Sequence, residues 1–397
     1  MGSDRGRGAG RQIRWAAILS GVVMFSGMAG RVAAMERDSL FEAVARRGID
    51  HVYNLEFDSA RSDFSLLCRM HPGHPAGPFF QAMVHWWQIV IDMDNTSYDA
   101  EFNRELDAVI AQCDSLLDLR PDDVTAIFFK GGAIGFQGRL AFHRDNYLAA
   151  ANAGRRALPL VQRASSLDPA NVDILLGSGI YNYYAEVIPD EYPIVKPLIL
   201  FIPPGDRRKG IEQLTTVSQH GLYASVEASY FLMQIYYYYE KDYSRALEIA
   251  QRMSARFPRN SVFQRYIGRW EVSLNIWDAA RRDFAETVAR ARARVPSYTA
   301  SVEREAEYYL GAADLQDGAF DDALAHLFRC DELSRALDRG GAASGFMAMA
   351  NLKIGQAYDL QGKRPNAVEQ YHKVLGMKEY HDSHTLANRY LNIPYTR

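Results

Sequence analysis

Apolar residues along this chain recur at helical spacing, in blocks broken by short polar turns, and they do not alternate as they would in half-buried strands. Tyr230 to Pro258 is typical. An aromatic-rich block runs to a break at Lys241-Asp242-Tyr243, a second block carries Ala246, Ala250 and Met253, and Pro258 closes it. The same order returns in Ile267-Gly268 with Ala280 and Phe284. It returns again in Leu310-Gly311 with Gly318 and Ala323, and in Ile354-Gly355 with Tyr358, Gly362, Ala367 and Tyr371. Each unit places a large–small pair on a first helix, then a turn, then a small residue inside a second helix. The small residues let two antiparallel helices approach, and the aromatic about four positions later fills the gap to the next unit. A glycine before the second helix ends the first, and a proline stops the second.

This pattern resembles the tetratricopeptide repeat (TPR), W-x2-L-G-x2-Y…A-x3-F…P. It reaches the front of the chain through Gly48, Ala60, Phe64 and Pro72, and through Ala157, Ala164 and Pro169. The resemblance implies an all-α, right-handed α-solenoid of about eight hairpins: 41–72, 75–121, 122–169, 170–220, 224–258, 259–296, 303–338 and 346–380. Packing passes from unit to unit, so 35–397 is expected to form one domain. Pro72, Pro121 and Pro169 lie further apart than the repeat requires, so insertions are expected at 92–100, 138–145 and 185–205.

Residues 1–34 differ from the rest. Arg5, Arg7, Arg11 and Arg14 precede an apolar stretch from Trp15 to Gly30, and Val32-Ala33-Ala34 supplies small residues for cleavage. That order predicts a secretory signal peptide, the apolar part being short of the roughly 20 residues of a membrane span. The leader carries five Arg and one Asp, so the formal net charge of −3 becomes −7 for 35–397. An acidic surface is not the footprint of a nucleic-acid binder. Three scattered cysteines, Cys68, Cys113 and Cys330, build no disulfide framework. The expected location is a bacterial periplasm or envelope.

The longest departure from the repeat is 185–210. Pro189, Pro193, Pro197, Pro203 and Pro204 interrupt any helix there, Leu198 to Ile202 are all apolar, and Gly205-Asp206-Arg207-Arg208 reads as a cap and a new helix start. With Gly177, Gly179 and Tyr181 to Tyr184 upstream, residues 177–214 are similar to a eukaryotic tetratricopeptide branch linked to inclusion-body and lipid-droplet clearance. The apolar run either covers the solenoid interior or forms a contact surface around Tyr192, Lys196, Leu200 and Phe201.

Chemistry is sparse. His71/His74 and His381/His384 have the spacing of metal ligands, but no Cys or Glu nearby completes a set. Gly177-Ser178-Gly179 is not a nucleophile elbow, and Gly131-Gly132 is not followed by the Lys and Ser/Thr of a phosphate loop. The expectation is therefore a non-enzymatic scaffold, without cofactor or metal, that holds a protein or peptide in a concave groove. From the resemblance, the first helix of each unit lines that groove, which points to Tyr181, Phe231, Ile235, Tyr238, Arg265, Arg269 and Tyr308. The alternatives are an envelope-assembly or lipid-handling factor that uses 193–204 against a membrane surface, and an enzyme with an unrecognised site in the groove.

Overall fold

A computed structural model describes residues 39–191, 203–338 and 344–397. The leader at 1–34, and Tyr192, Lys196, Leu200 and Phe201, lie outside the described residues. The described residues are helical, with no strand among them. In chain order the helices are α1 (39–53), α2 (Phe57–Met70), α3 (Ala76–Ile91), α4 (Asp99–Leu119), α5 (Val124–His143) and α6 (Tyr147–Leu167). There follow α7 (Leu175–Glu191), α8 (Arg207–His220), α9 (Ser225–Tyr238), α10 (Tyr243–Arg256), α11 (Ser261–Ser273) and α12 (Trp277–Arg292). The last are α13 (Ala300–Asp317), α14 (Phe320–Leu337), α15 (Gly345–Leu360), α16 (Arg364–Leu375) and α17 (Ser383–Asn392). Consecutive helices pack against one another along the chain.

Four hairpins share one close contact. A Cβ added to Gly268 would fall 2.7 Å from the Phe284 ring, and one on Gly311 would fall 2.6 Å from Leu327. Gly48 meets Phe64 and Gly355 meets Tyr371 in the same way. The partner is sixteen residues further on each time. Four residues before it stands a buried alanine: Ala60, Ala280, Ala323 or Ala367. The large partner also reaches forward, Phe64 to Phe80 and Phe284 to Tyr309, with ring centroids 5.4 and 4.7 Å apart. One side chain therefore closes its own hairpin and seats the next.

The turns inside the hairpins repeat as well. Leu55, Asp145, Asn275, Gly318 and Gly362 take positive φ. In each of these turns the amide of the next residue returns to the carbonyl five positions before it, as Ile276 N does to Glu271 O and Lys363 N to Tyr358 O. Only two of the five are glycine, so the expectation of a glycine there holds at Gly318 and Gly362 alone. Several helix starts are capped by side chains. Asp123, Asn146, Asp206, Asp242, Asn260 and Ser344 each accept from an amide of the first turn.

Two expected insertions are corrected. Residues 138–143 are the end of α5, and the connection to α6 is a short turn, so the front of the chain is stretched by helices of 20 and 21 residues rather than by an inserted loop. The irregular segment expected at 185–210 is shorter: α7 continues through Pro189 to Glu191, and α8 starts at Arg207. A proline removes one hydrogen bond from a helix, and near the last turn the loss is small.

The first two hairpins do not stay beside their sequence neighbours alone. Tyr53 on α1 donates to Glu227 on α9 at 2.6 Å, and Asn260 donates to the Tyr53 carbonyl at 2.6 Å. Trp87 on α3 meets Tyr230 and Phe263 edge-on, at 5.4 and 5.8 Å. Arg265 donates to the Ile91 carbonyl at 3.0 Å, and Arg304 pairs with Asp94 at 3.1 Å. The chain thus curves until its front rests on α9, α11 and α13.

Candidate functional site

The curve borders a half-open cavity of about 1500 Å³ between α3, α5, α6, α7, α9 and α11. Its wall is chiefly apolar and rich in rings, with Trp86, Phe129, Phe136, Tyr184, Phe231 and Tyr266 among the lining residues. Gly135 on α5 and Gly154 on α6 line its open side: both are exposed, and a Cβ on either would meet nothing within 4 Å. Gly138, one turn on, has a packing reason, since its Cβ would lie 2.8 Å from that of Ala153. Helix-interior glycine costs roughly 1 kcal/mol relative to alanine, so Gly135 and Gly154 weaken their helices and contribute only space.

One guanidinium sits among the rings. Arg139 on α5 lies 4.3 Å from the Phe231 ring centroid, 4.7 Å from Trp86 and 5.3 Å from Tyr230. It is paired with Glu227, whose other oxygen accepts from Tyr53. The Arg139 side chain is 11% exposed, and its Nη2 is buried without a hydrogen-bond partner. The indole Nε1 of Trp86, a residue 1% exposed, has none either. His143, one turn beyond Arg139, packs 6.0 Å from Trp86. Burial, and then the charges of Arg139 and Arg144, push its pKa down to about 4, so it is neutral at physiological pH. Arg144 grips Asp99 with two bonds of 2.7 and 2.9 Å and donates to the Met93 carbonyl, fixing the loop between α3 and α4.

A second polar group borders the cavity at α11. Arg265 and Arg269 both pair with Glu305 on α13, which is fully buried. Burial alone would raise the Glu305 pKa, but the two guanidinium groups hold it down at about 2.

Of the residues expected on the inner face, Tyr181, Phe231, Tyr238, Arg265 and Arg269 line this cavity. Tyr238 is 43% exposed, and Tyr181 donates to the Pro203 carbonyl. Ile235 is fully buried in the core and Tyr308 packs behind Phe346 at 5.7 Å; neither is among the lining residues. The sequence pattern missed Trp86, Arg139, His143 and Glu227. The glycines at 131, 132, 135 and 138 gave no clear signal, because all but Gly135 lie against a neighbouring side chain.

The histidine pairs serve packing and turns. His71 and His74 lie against the Phe41 ring at 5.1 and 4.9 Å, and His384 bonds to the Met377 carbonyl at 3.0 Å. Among the described residues no group of three or more His, Cys, Asp or Glu could hold a metal ion, and no helix is long and apolar enough to cross a membrane. No family model and no curated protein matches the chain.

Proposed function

We propose that this chain is a TPR-like right-handed superhelix of eight hairpins and a terminal helix, exported after removal of residues 1–34. We propose further that it binds an elongated, mainly apolar ligand in its central cavity without acting on it chemically. The observation that carries this reading is the cavity itself, apolar, rich in rings and bordered on its open side by Gly135 and Gly154. Pockets for compact metabolites and drug-sized molecules run to roughly 300–1000 Å³, so about 1500 Å³ suits a longer molecule. The glycine–partner spacing of the hairpins and their repeated turns support the repeat assignment.

Two features favour an apolar ligand over a protein segment lying along the groove. Trp87 occupies the inner side of α9 and α11, between Tyr230 and Phe263. Arg265 and Arg269, suited to peptide recognition if free, are already engaged by Glu305 and the Ile91 carbonyl.

Titration of the mature chain with the fluorescent apolar probe N-phenyl-1-naphthylamine tests the reading. One site of micromolar affinity is expected, weakened at least about tenfold by Gly135→Leu with Gly154→Leu, since two leucine side chains would occupy the cavity. Absence of binding, or binding indifferent to the two leucines, would overturn it. So would solvent extraction of the purified chain that yields peptide instead of an apolar compound, which would restore the peptide-scaffold alternative.

A further inference from the structure

We propose that the exposed face of α6 docks the chain on an anionic lipid bilayer, with the open side of the cavity turned towards the lipid. α6 stands apart from the other described helices in charge. Its 21 residues hold Arg155, Arg156 and Arg163 and no Asp or Glu, in a chain of formal net charge −3. At about 100° per residue, Leu148, Asn152, Arg155, Pro159, Arg163 and Ser166 fall on one narrow stripe. All six are exposed, Leu148 at 57%, and the exposed Arg156 flanks them. The stripe borders the cavity, since Gly154 and Arg155 are both exposed and both line it.

Much of this charge is not neutralised within the molecule. Among the described residues neither Arg155 nor Arg156 has an ion-pair partner; Arg155 donates to the Asn152 side chain at 3.1 Å. Arg163 is paired with Asp122 at 2.6 Å. The nearby acids stand at the two ends of the helix. Asp145 precedes it and Asp168 follows it, and the exposed Asp118 and Asp122 lie near its end, where Leu117 packs in the cluster that holds Ala164. Of the acids that line the cavity, Asp94 pairs with Arg304 and Glu227 with Arg139, and neither Asp92 nor Glu191 pairs with α6. The free charge is therefore confined to the turns around Arg155 and Arg156, beside the open side.

A bilayer suits this surface better than a nucleic acid, which calls for a wider positive tract than two free arginines. Arginine beside exposed leucine is what an interfacial helix presents: the guanidinium meets lipid phosphate, while its stem and Leu148 reach the acyl boundary. At physiological salt, charges more than about 8 Å from the contact are largely screened, so the acidic remainder of the chain opposes docking little. Two arginines and one leucine give a weak, reversible attachment. The surface is independent of what the cavity holds; together with the apolar-ligand reading, it places the mouth where such a ligand is dissolved.

Flotation of the mature chain with lipid vesicles tests the docking surface. Phosphatidylcholine with about one third phosphatidylglycerol should bind at least about tenfold more tightly than phosphatidylcholine alone, each arginine at the surface contributing roughly fivefold. Sodium chloride at about 0.5 M should remove the difference, and so should Arg155→Glu with Arg156→Glu. Arg156→Glu alone and Leu148→Ser, neither at a cavity-lining position, should each weaken vesicle binding severalfold and leave affinity for N-phenyl-1-naphthylamine in solution unchanged. Equal binding to the two kinds of vesicle, or a preference unmoved by the two glutamates, overturns the docking surface and leaves the cavity reading standing. Tighter binding to polyglutamate or duplex DNA than to the anionic vesicles overturns it too, and assigns the arginines to an acidic macromolecule. Failure of the probe to bind the native chain overturns the cavity reading and leaves the docking surface.

Discussion

At the scale of single residues, most of the charged side chains that are buried stand in ion pairs, and one pair is not an ion pair at all. Glu271 on α11 and Asp283 on α12 are two carboxyl groups in contact through a hydrogen bond, with Arg282 as the nearby cation. Burial, and then Asp283, raise the Glu271 pKa from 4.5 to about 7. In the folded chain Glu271 therefore keeps a proton between about pH 4.5 and 7 that the unfolded chain has lost. Stability from this group is complete below the lower value and declines as pH rises through the window. His326 adds to the same trend, since its hydrogen bond to Glu307 raises its pKa and it too loses stabilising protonation as pH rises. The melting temperature of the native chain should fall from pH 5 to 7.5. Glu271→Gln, which cannot ionise, should flatten part of that fall and leave the His326 part in place. A melting profile of Glu271→Gln that keeps the full native slope would mean that Glu271 titrates normally.

At the scale of helices, the sequence was most legible where a local rule has a local cause. The proline punctuation marked several helix ends within a few residues, as at Pro72, Pro121 and Pro258, because a proline ends a helix by its own geometry. Asp206 was readable as a cap for α8 for the same reason, and it accepts from Lys209 N at 2.9 Å. The large–small pairing was readable too, with the partner of Gly268 sixteen residues away at Phe284. What escaped was the course of α7 through Pro189 and the use of extra helical turns in α5 and α6. A helix lengthened at its end leaves the same proline spacing as an inserted loop. Glycine in these helices has two meanings, and a paired measurement separates them. Gly355→Leu should destabilise the chain by roughly 1–3 kcal/mol or more, because its side chain must displace the Tyr371 ring, whose hydroxyl is held by Asp359 at 2.8 Å. Gly135→Leu should be neutral or stabilising by up to about 1 kcal/mol, since it gains helix propensity and meets no neighbour. Chemical denaturation of both variants checks the pair, and equal losses would mean that Gly135 is a packing glycine like Gly355.

At the scale of the whole molecule, the candidate site exists because the chain returns on itself, and that return was not legible in the sequence at all. Tyr53 and Glu227 are 174 residues apart, and Tyr53 and Asn260 are 207 apart. No periodicity or spacing rule links such positions, and each residue, read alone, fits an ordinary hairpin. The return changes how the molecule should unfold. An open array of helical repeats is stabilised by nearest-neighbour interfaces, so its ends can fray or unfold in parts. Here α1 and α3 are held on α9 and α11 by the Tyr53 bonds and by Trp87 packed on Tyr230 and Phe263. The front of the described chain is thereby coupled to its middle, and these two parts should lose helicity and tryptophan burial in one transition. Trp87→Ala would remove a fully buried indole from that junction, at a cost of about 3–5 kcal/mol. In that variant urea curves followed by far-ultraviolet dichroism and by fluorescence of the remaining tryptophans should separate, the Trp86 signal changing at lower urea than the helix signal. Because the cavity wall is shared by α3 and α9, the same variant should lose probe binding before it loses most of its helix. Coincident transitions in Trp87→Ala, with binding lost only on global unfolding, would show that the junction does not couple the front of the chain to its middle.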